Sequence, residues 1–542
     1  MARGHSLQNV PIPRFPRARF NLSHSVTTSM DVGTLYPIDW QEVVPGDVFK
    51  CRAFDVSRVT SSFLKPVMDN LFLDVYHFFV PHRLVYDNFE KVFGNPNPSA
   101  YTDNALEEIP MTYGEVKSGC IGDYLGLPLG SISQNNPVSV LPFRSFALIY
   151  DKYFRNENTT DEIYIQKKGF SLSELLGTQN FAPNSYCGRL PKVNKYKDYF
   201  TSCVPNPQKG APVSFSLGDR AVVKTSNSEL VTGPQKEMAL TNSSSGSVSV
   251  GEHPLVVGLG GLHFDAASFS GTVAAGLYPN NLYADLSAAN AISVDDLRLA
   301  FAYQKMLERD AIYGSRYNEY LYGHFGVHIP DAYIQFPQYL GGGRTPLNIV
   351  QVAQTSQGTE ESPLGNVGAY SWTNGRTGYS RKFSEHGIVM TVACLRYRHT
   401  YQQGVAKKWR RKVREDFYDP LFSTIGQQPV YTTELYGMST VSKDSVFGYR
   451  EAWSELRSIP NTISGEMRSS ATNSLDLWHF ADNYSSAPTL SQSFTEETPA
   501  YVDRTLSVPS SKQDNFILNF YFDMSAVRKM PVYSMPSLID HH

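Results

Sequence analysis

The chain has 542 residues, a formal net charge of −3 and a pI near 6.5. That length predicts several domains or one large β domain with long insertions, and the near-neutral charge excludes a protein that neutralises nucleic acid over its whole surface. Aromatic residues make up 13% and charged residues only 18%, which predicts a β-rich protein whose surface is largely covered by other molecules.

The five cysteines are odd in number and scattered along the chain. They are therefore expected to be reduced thiols in a protein that folds in a cytoplasm. The first 20 residues contain no apolar core of signal-peptide length, and apolar stretches such as 71–80 are too short to cross a bilayer. We expect neither classical secretion nor insertion into a membrane.

Residues 1–30 are predicted to form an extended basic arm, because no acidic residue precedes Asp31 and the prolines prevent a regular helix. In one interpretation Arg14, Arg17 and Arg19 contact phosphates or a neighbouring subunit. In the other, the segment is a solvated terminus.

Three short segments, at 71–80, 387–397 and 515–524, are apolar on both alternating faces and predict fully buried strands. Their wide separation predicts a barrel or sandwich whose loops are greatly expanded. We expect 31–225 to carry the first barrel strands with long loops that contain short helices, for example at 145–156, and 291–542 to carry the remaining strands.

Residues 226–290 have few charges and many Gly, Ser and Ala residues. This composition predicts a surface insertion with little core of its own, and a disordered linker is the alternative. Recurring apolar groups such as 255–259 favour the insertion. The residues most expected on its exposed surface are Ser243, Ser244, Ser245, Gly246, His253 and His263.

A helix is predicted from the N-cap Ser293 to the C-terminal Gly314. Asp295 lies in the first turn, where the helix dipole favours an acid. Leu297 and Phe301 belong to an apolar stripe at helical spacing, so we expect the helix to pack along that face.

Catalytic and metal-binding patterns are weak. His324 and His328 are four residues apart, but the nearby Gly and Pro residues argue against the helix that a zinc pair would need. The glycines of 341–344 lack the Lys-Ser/Thr of a phosphate-binding loop. We therefore expect no enzyme, no metal site and no cofactor.

The strongest charge feature is the basic cluster at 407–414. One interpretation is contact with single-stranded nucleic acid, with the tryptophan stacked on a base. The others are pairing with nearby acids or a neighbouring subunit, and a solvated basic face. The candidate residues are Lys407, Lys408, Trp409, Arg410, Arg411, Lys412 and Arg414.

Several long segments, taken in order, resemble the major capsid proteins of the Microviridae, the family of small single-stranded-DNA bacteriophages, and in particular the gokushovirus branch. They cover most of the chain, and 226–290 is where the likeness is least. The segments are 20–51, 147–158, 192–210, 296–327, 336–343, 416–436 and 522–538.

The resemblance implies an eight-stranded viral jelly-roll barrel with long loop insertions. It implies pentamers and then an icosahedral shell of about 60 copies around circular single-stranded DNA, assembled in the cytoplasm of a bacterial host. Residues 226–290 look like the insertion that builds surface protrusions for host attachment. The implied partners are a small basic DNA-binding virion protein, an internal scaffolding protein and a host cell-surface receptor.

Two other classes of function are alternatives to a capsid subunit. A carbohydrate-binding jelly-roll module would also contain many Trp and Tyr residues, which stack on sugars. A β-barrel hydrolase would require a nucleophile and a base, and the sequence shows no such pair.

Overall fold

The computed structural model describes residues 16–94, 106–211, 213, 222–225, 240–242, 255–258, 261–264, 277–279, 282–285, 294–314, 316–331, 335–353, 367–438 and 441–533. The chain divides into two compact units. One comprises Met1–Pro207 with Arg309–His542, and the other comprises Gln208–Glu308.

The described part of the chain is mainly β, as the sequence predicts. Its strands are β1 (Ala18–Asn21), β2 (His24–Met30), β3 (Leu35–Val43), β4 (Val48–Val59), β5 (Leu71–Pro81), β6 (Met111–Thr112), β7 (Gly114–Val116), β8 (Gly130–Ile132), β9 (Val138–Ser139), β10 (Val222–Thr225), β11 (Leu240–Asn242), β12 (Leu255–Gly258), β13 (Gly261–Phe264), β14 (Leu277–Pro279), β15 (Leu282–Asp285), β16 (Gln338–Pro346), β17 (Ile349–Ala353), β18 (Val367–Lys382), β19 (Gly387–Tyr397), β20 (Thr400–Tyr401), β21 (Gln427–Tyr431), β22 (Val446–Glu451), β23 (Asn461–Thr462) and β24 (Phe516–Arg528).

The helices are mostly short and lie in the connections between strands. They are α1 (Phe89–Phe93), α2 (Ile121–Tyr124), α3 (Leu141–Ile149), α4 (Val294–Tyr313), α5 (Tyr317–Phe325), α6 (Thr432–Leu435), α7 (Gln492–Thr495) and α8 (Ala500–Asp503).

Two antiparallel sheets form the core of the larger unit, and among the described residues four two-stranded sheets lie in its connections. The first sheet has the order β1-β24-β4-β18-β17, with β2 also paired to β24, and the second has the order β16-β5-β19-β3. The expected barrel is thus not one closed sheet: within the described residues these long strands form two separate sheets. The two sheets pack through side chains instead, as in a sandwich.

The inner faces of the two sheets share one apolar core. Phe49 and Phe520 of the first sheet belong to the same buried cluster as Leu73 and Phe79 of the second. His77 also joins the sheets, because its Nδ1 lies 2.9 Å from Thr391 Oγ1 of the second sheet and its Nε2 lies 3.0 Å from Thr377 Oγ1 of the first. Burial lowers the pKa of His77 to about 4, so the bridge is made by a neutral ring.

The second sheet is buried on its other face as well. Phe78 and Met390 form a second buried cluster with Phe146 and Ile149 of helix α3. The prediction of fully buried strands is therefore confirmed at 71–80 and 387–397. Their side chains are apolar at successive positions because each alternate set meets a different packed layer.

The same prediction is wrong for the third segment. Strand β24 alternates strictly between buried and exposed positions. Ile517 is 47% exposed and Tyr521 is 45% exposed, whereas Leu518 and Phe520 are fully buried. The inward set is wholly apolar, whereas the outward set combines Ile517 and Tyr521 with the polar residues Asn519 and Asp523. Those two polar residues were the sign in the sequence that this set faces outward.

The smaller unit contains a nested series of antiparallel strand pairs. Strand β10 pairs with β15, β11 with β14, and β12 with β13. Each pair lies within the preceding one along the chain, from Thr225↔Leu282 to Gly258↔Gly261. This nesting is the pairing order of one long hairpin.

The predicted helices are present, with differences in detail. The helical piece expected at 145–156 begins at Leu141 and continues past α3 as a π-helical turn, Tyr150–Phe154. Helix α4 matches the predicted bounds, Gly314 takes a positive φ of 97° behind it, and Ser293 lies outside the described residues. The expected packed face is wrong at Phe301, which is 64% exposed.

All five cysteines are free, as predicted, and all are buried. Desolvation raises the pKa of several of these thiols, for example Cys51 and Cys394, to about 12. Across the described ranges, no helix is both long and apolar enough to cross a membrane.

Candidate nucleic-acid interface

The described portion of the predicted N-terminal arm is part of the first sheet. Strands β1 and β2 follow one another along the same edge of β24. Their sequences include Phe20, Val26, Thr27 and Thr28, residue types that favour β structure. Arg17 and Arg19 are exposed, and Arg19 Nη2 donates to Ser525 Oγ over 3.3 Å. Arg14 lies outside the described residues.

The basic cluster at 407–414 is an irregular surface segment with two short 3-10 turns, Lys407–Trp409 and Arg414–Asp416. Trp409 is 78% exposed, and Lys408, Lys412 and Arg414 are exposed beside it. The cluster borders an open depression of about 680 Å³.

Part of this positive charge is already engaged within the subunit. Arg411 Nη2 lies 3.5 Å from Glu455 Oε1, with both side chains largely buried, and Lys407 Nζ donates to the carbonyl of Pro429 over 3.3 Å. The backbone N–H groups of Lys412 and Val413 donate to Asp416 Oδ2, and these two bonds lower the pKa of that carboxyl group. The ion pair of the cluster in the described structure is thus with Glu455, which is distant in sequence, and not with an adjacent acid. Lys408 and Arg410 make no ion pair among the described residues.

The surface around the cluster is apolar as well as basic. Leu421 is 84% exposed, and Phe417, Ile425 and Ile459 are also exposed. A surface of this composition is typical of a protein–protein contact. The neighbouring-subunit interpretation thus gains a physical basis that the charge pattern alone did not provide.

A second basic surface was missed by the sequence reasoning. It is the outer face of the first sheet, on which Lys50, Arg52 and Phe54 of β4 alternate with the buried Phe49, Cys51 and Ala53. The signal was present as period-2 alternation at 49–54. It was overlooked because the charges are spread over several strands that are distant in sequence.

The candidate protrusion residues are only partly within the described ranges. Ser243, Ser244, Ser245, Gly246 and His253 lie outside them. His263 lies in β13, where it is the backbone partner of Val256.

The weak catalytic candidates occupy structural positions. His324 lies inside α5, contrary to the expectation that Gly323 would prevent a helix, and its Nε2 is 3.1 Å from Asp310 Oδ1. The glycines of 341–344 lie in β16, where a Cβ on Gly342 would come within 2.5 Å of the carbonyl oxygen of Val75. These glycines serve close strand packing. The described residues contain no group of three or more metal-ligating side chains.

Comparison with known proteins identifies the class to which this fold and these surfaces belong. The family model of the phage capsid protein (F protein) matches residues 8–538. The chain therefore belongs to this family: it is a structural capsid protein of the virion rather than an enzyme. The resemblance to gokushovirus-type capsid proteins of the Microviridae is confirmed.

The particular relatives are viral capsid proteins of the same length class. The chain is 36% identical to Capsid protein VP1 of Spiroplasma virus 4, covering 99% of this chain and 98% of the relative. It is 36% identical to Capsid protein VP1 of Bdellovibrio phage phiMH2K (98% and 97% covered) and 33% identical to that of Chlamydia phage 1 (99% and 100% covered). The similarity thus spans whole chains.

Proposed function

We propose that this capsid protein assembles through pentamers into an icosahedral shell of about 60 copies that encloses circular single-stranded DNA. The observation that carries the proposal is the match to viral capsid proteins over nearly the whole of each chain. Assembly takes place in the cytoplasm of a bacterial host.

The fold proposed for this subunit is the viral jelly roll. Its eight strands in chain order are β2, β3, β4, β5, β16, β18, β19 and β24. The first pairs with the eighth, the second with the seventh, the third with the sixth and the fourth with the fifth. These pairs alternate between the two sheets. That is the pattern of one long hairpin rolled into two layers, which supports the jelly-roll assignment.

Self-association is supported by the apolar groups that the isolated subunit leaves exposed. Leu421, Ile459 and Phe417 surround the basic cluster, and Phe301 and Tyr303 are exposed on α4. In a shell, symmetry-related subunits cover such surfaces. We assign the contact around 417–425 to a neighbouring subunit.

The remaining partners follow from the same proposal. A slightly acidic subunit is well suited to share the packaged genome with a small basic DNA-binding virion protein, and an internal scaffolding protein guides assembly. Residues 226–290 form protrusions on the outer surface and take part in attachment to a host receptor. The nested strand pairs between β10 and β15 support this role, because a long hairpin extends a loop without a large core.

The assembly proposal is tested by expressing the full-length chain with its scaffolding partner and measuring sedimentation and particle shape. We expect pentamers and round particles of uniform size that protect single-stranded DNA from nuclease. A chain that remains monomeric at every ionic strength would contradict the proposal.

The exposed part of the basic cluster, together with the N-terminal arm, is proposed to face the genome. The test variant is Lys408→Gln with Arg410→Gln, Lys412→Gln and Arg414→Gln. Arg411 is retained, because its loss would leave Glu455 buried without its ion-pair partner. We expect normal folding and particles with a lower DNA content, measured as the ratio of nucleotide to protein. An unchanged ratio would exclude this segment as a DNA contact.

A further inference from the structure

The outer face of the first sheet is a continuous basic and polar surface. We call it the outer sheet face and define it by the exposed positions of β1, β2, β24, β4 and β18. Strand register places these positions side by side. Arg58 lies between Ile517 and Trp372, and Phe54 lies between Tyr521 and Arg376.

Positive charge on the outer sheet face greatly exceeds negative charge. Its one acidic side chain among the described residues is Asp523, the cross-strand neighbour of Arg52. Within the described residues, Lys50, Arg52 and Arg58 form no ion pair. A chain with net charge −3 thus gathers cations on one sheet. They are Arg19, Lys50, Arg52, Arg58, Arg376 and Lys382.

Aromatic rings occupy the same surface between the cations. Phe54 and Tyr521 are stacked with ring centroids 6.5 Å apart and an interplanar angle of 26°. The guanidinium of Arg376 lies 5.5 Å from the centroid of the Phe54 ring, and Trp372 is half exposed near Arg58. Cations that follow a backbone together with rings that accept bases are the two elements of a surface that binds single-stranded nucleic acid.

We infer that the outer sheet face binds single-stranded DNA, with the cations on phosphates and Phe54, Tyr521 and Trp372 stacked on bases. The dimensions suit this ligand. Lys50 and Arg58 are eight residues apart on one strand, which corresponds to roughly 27 Å. The polar residues between them, such as Asn519 and Asn374, hydrogen-bond bases without selecting a sequence.

This inference rests on the proposed function. The outer sheet face points away from the core of the subunit, and in the proposed shell it lines the interior that encloses DNA. A neighbouring subunit is a weaker candidate for the occupant. Covering six cations and one acid with a copy of an acidic chain would require a matching acidic surface, whereas phosphates supply the opposite charge directly.

The first test measures binding of the purified full-length chain to a fluorescent oligothymidylate of about 20 nucleotides, by anisotropy, between about 50 and 200 mM NaCl. The variant carries Lys50→Gln, Arg52→Gln, Arg58→Gln and Arg376→Gln. We expect at least ten-fold weaker binding and a slope of log affinity against log salt that is smaller by about 3, since each phosphate contact contributes roughly 0.7.

A charge-matched control distinguishes a local site from overall charge. It replaces four exposed lysines outside this sheet and outside the basic cluster, Lys91, Lys167, Lys168 and Lys512, with Gln. The control is expected to bind as the wild type does. Equal losses in both variants would overturn the inference, because attraction would then depend only on net charge.

The stacking contribution is tested by Tyr521→Ser, an exposed position where folding is little affected. We expect at least five-fold weaker binding to oligothymidylate with an unchanged salt slope. An unaltered affinity would show that the rings do not contact bases.

Wild-type particles provide a readout that requires no variant. Ultraviolet crosslinking of packaged DNA, followed by mass spectrometry, is expected to label peptides that contain 50–58, 372–376 and 516–528. Crosslinks confined to other segments would overturn this inference and leave the shell proposal intact. Particles that contain no DNA would instead contradict the proposed function. The free protein could also fail to bind DNA while its outer sheet face becomes protected on self-assembly. That result would assign this face to a neighbouring subunit and would overturn the inference.

Discussion

Two groups of buried charged residues pair with each other in the described structure. Arg144 and Glu174 are both fully buried and form a two-pronged ion pair, with Nε 2.6 Å from Oε1 and Nη2 2.9 Å from Oε2. The carbonyl of Val85 accepts a further bond from Arg144, and the hydroxyl of Tyr186 donates to Glu174. Such groups hold long loops against the body of the protein, because removal of one member leaves a buried charge without its partner.

His399 is the centre of a similar group. Its Nδ1 lies 2.7 Å from Asp482 Oδ1 and its Nε2 lies 3.0 Å from Glu497 Oε1, while Lys195 Nζ is 3.6 Å from Asp482 Oδ2. Burial by itself would lower the pKa of His399, but the charges of Asp482 and Glu497 outweigh it and raise the pKa to about 9. The ring is therefore charged at neutral pH and joins two distant segments.

This arrangement predicts a pH dependence of subunit stability. The pKa of His399 is higher in the folded state than its ordinary value of 6.5. Its contribution to the free energy of unfolding is therefore complete below pH 6.5 and is lost as the pH rises through about 9. We expect a loss of roughly 3 kcal/mol over that interval, measured by urea unfolding.

The variant His399→Gln isolates this effect. It should be less stable than the wild type near pH 6, and the difference between the two should shrink towards pH 9.5. His328→Gln, at an exposed histidine, serves as the control and should follow the wild-type curve. A constant difference between His399→Gln and wild type would show that the ring acts without its charge.

At the scale of elements, glycines allow two strands to lie unusually close. Gly378 lies in β18 opposite Arg52 of β4, and a Cβ there would come within 2.5 Å of the carbonyl oxygen of Cys51. A Cβ on Gly341 of β16 would in turn come within 2.8 Å of the carbonyl oxygen of Gly378. The close approach of the two sheets at this edge thus depends on glycines, which have no Cβ atom.

We expect Gly378→Ala to destabilise the subunit by about 2 kcal/mol, because backbone atoms cannot move aside as a flexible side chain can. The measurement is the urea midpoint of the unassembled chain. Gly94→Ala is the matched control, since Gly94 is extended and nothing lies within 4 Å of the point that its added Cβ would occupy. Equal midpoints for the two variants would mean that the sheet edge relaxes.

Strand β24 shows where pattern-based inference fails. Its outward residues include the apolar Ile517 and the aromatic Tyr521, which led to the prediction of a strand buried on both faces, although Asn519 and Asp523 lie on the same side. The described structure has a helical layer over the second sheet and exposed positions on the outer sheet face. Exposed aromatic residues in a β strand therefore indicate a surface that has another partner.

At the scale of the whole molecule, the strand pairing of the smaller unit offers a point at which its long hairpin can be shortened. Thr225 and Leu282 are cross-strand partners in the β10–β15 pair. A two-residue Asn-Gly turn that joins them would replace 226–281 and preserve this pair.

We expect particles of this shortened chain to assemble with normal DNA content and to lose attachment to host cells, because 226–290 is proposed to form the protrusions. Attachment is measured by sedimentation of labelled particles with cells. A milder variant with Ser243→Ala, Ser244→Ala and Ser245→Ala provides the comparison for surface chemistry alone. Attachment equal to that of wild-type particles would refute the role of the insertion.

The ordered segments and local patterns are enough to assign the capsid family, the mainly β composition, helix α4 and two of the three buried strands. These features depend on neighbours along the chain or on long similarity, and both are visible in one dimension. For the same reason, the basic cluster at 407–414 is easily recognised in the sequence, because its basic residues are almost consecutive.

Other properties exist only after folding. The pairing of β24 with β4 brings Tyr521 beside Phe54, and the pairing of β4 with β18 brings Arg376 beside the same ring. Residues more than 300 positions apart thereby form one basic and aromatic surface, while Arg411 of the conspicuous cluster is engaged by Glu455. Tertiary structure decides which charges remain free, because an ion pair or a packed layer forms between distant segments and leaves no local trace in the sequence.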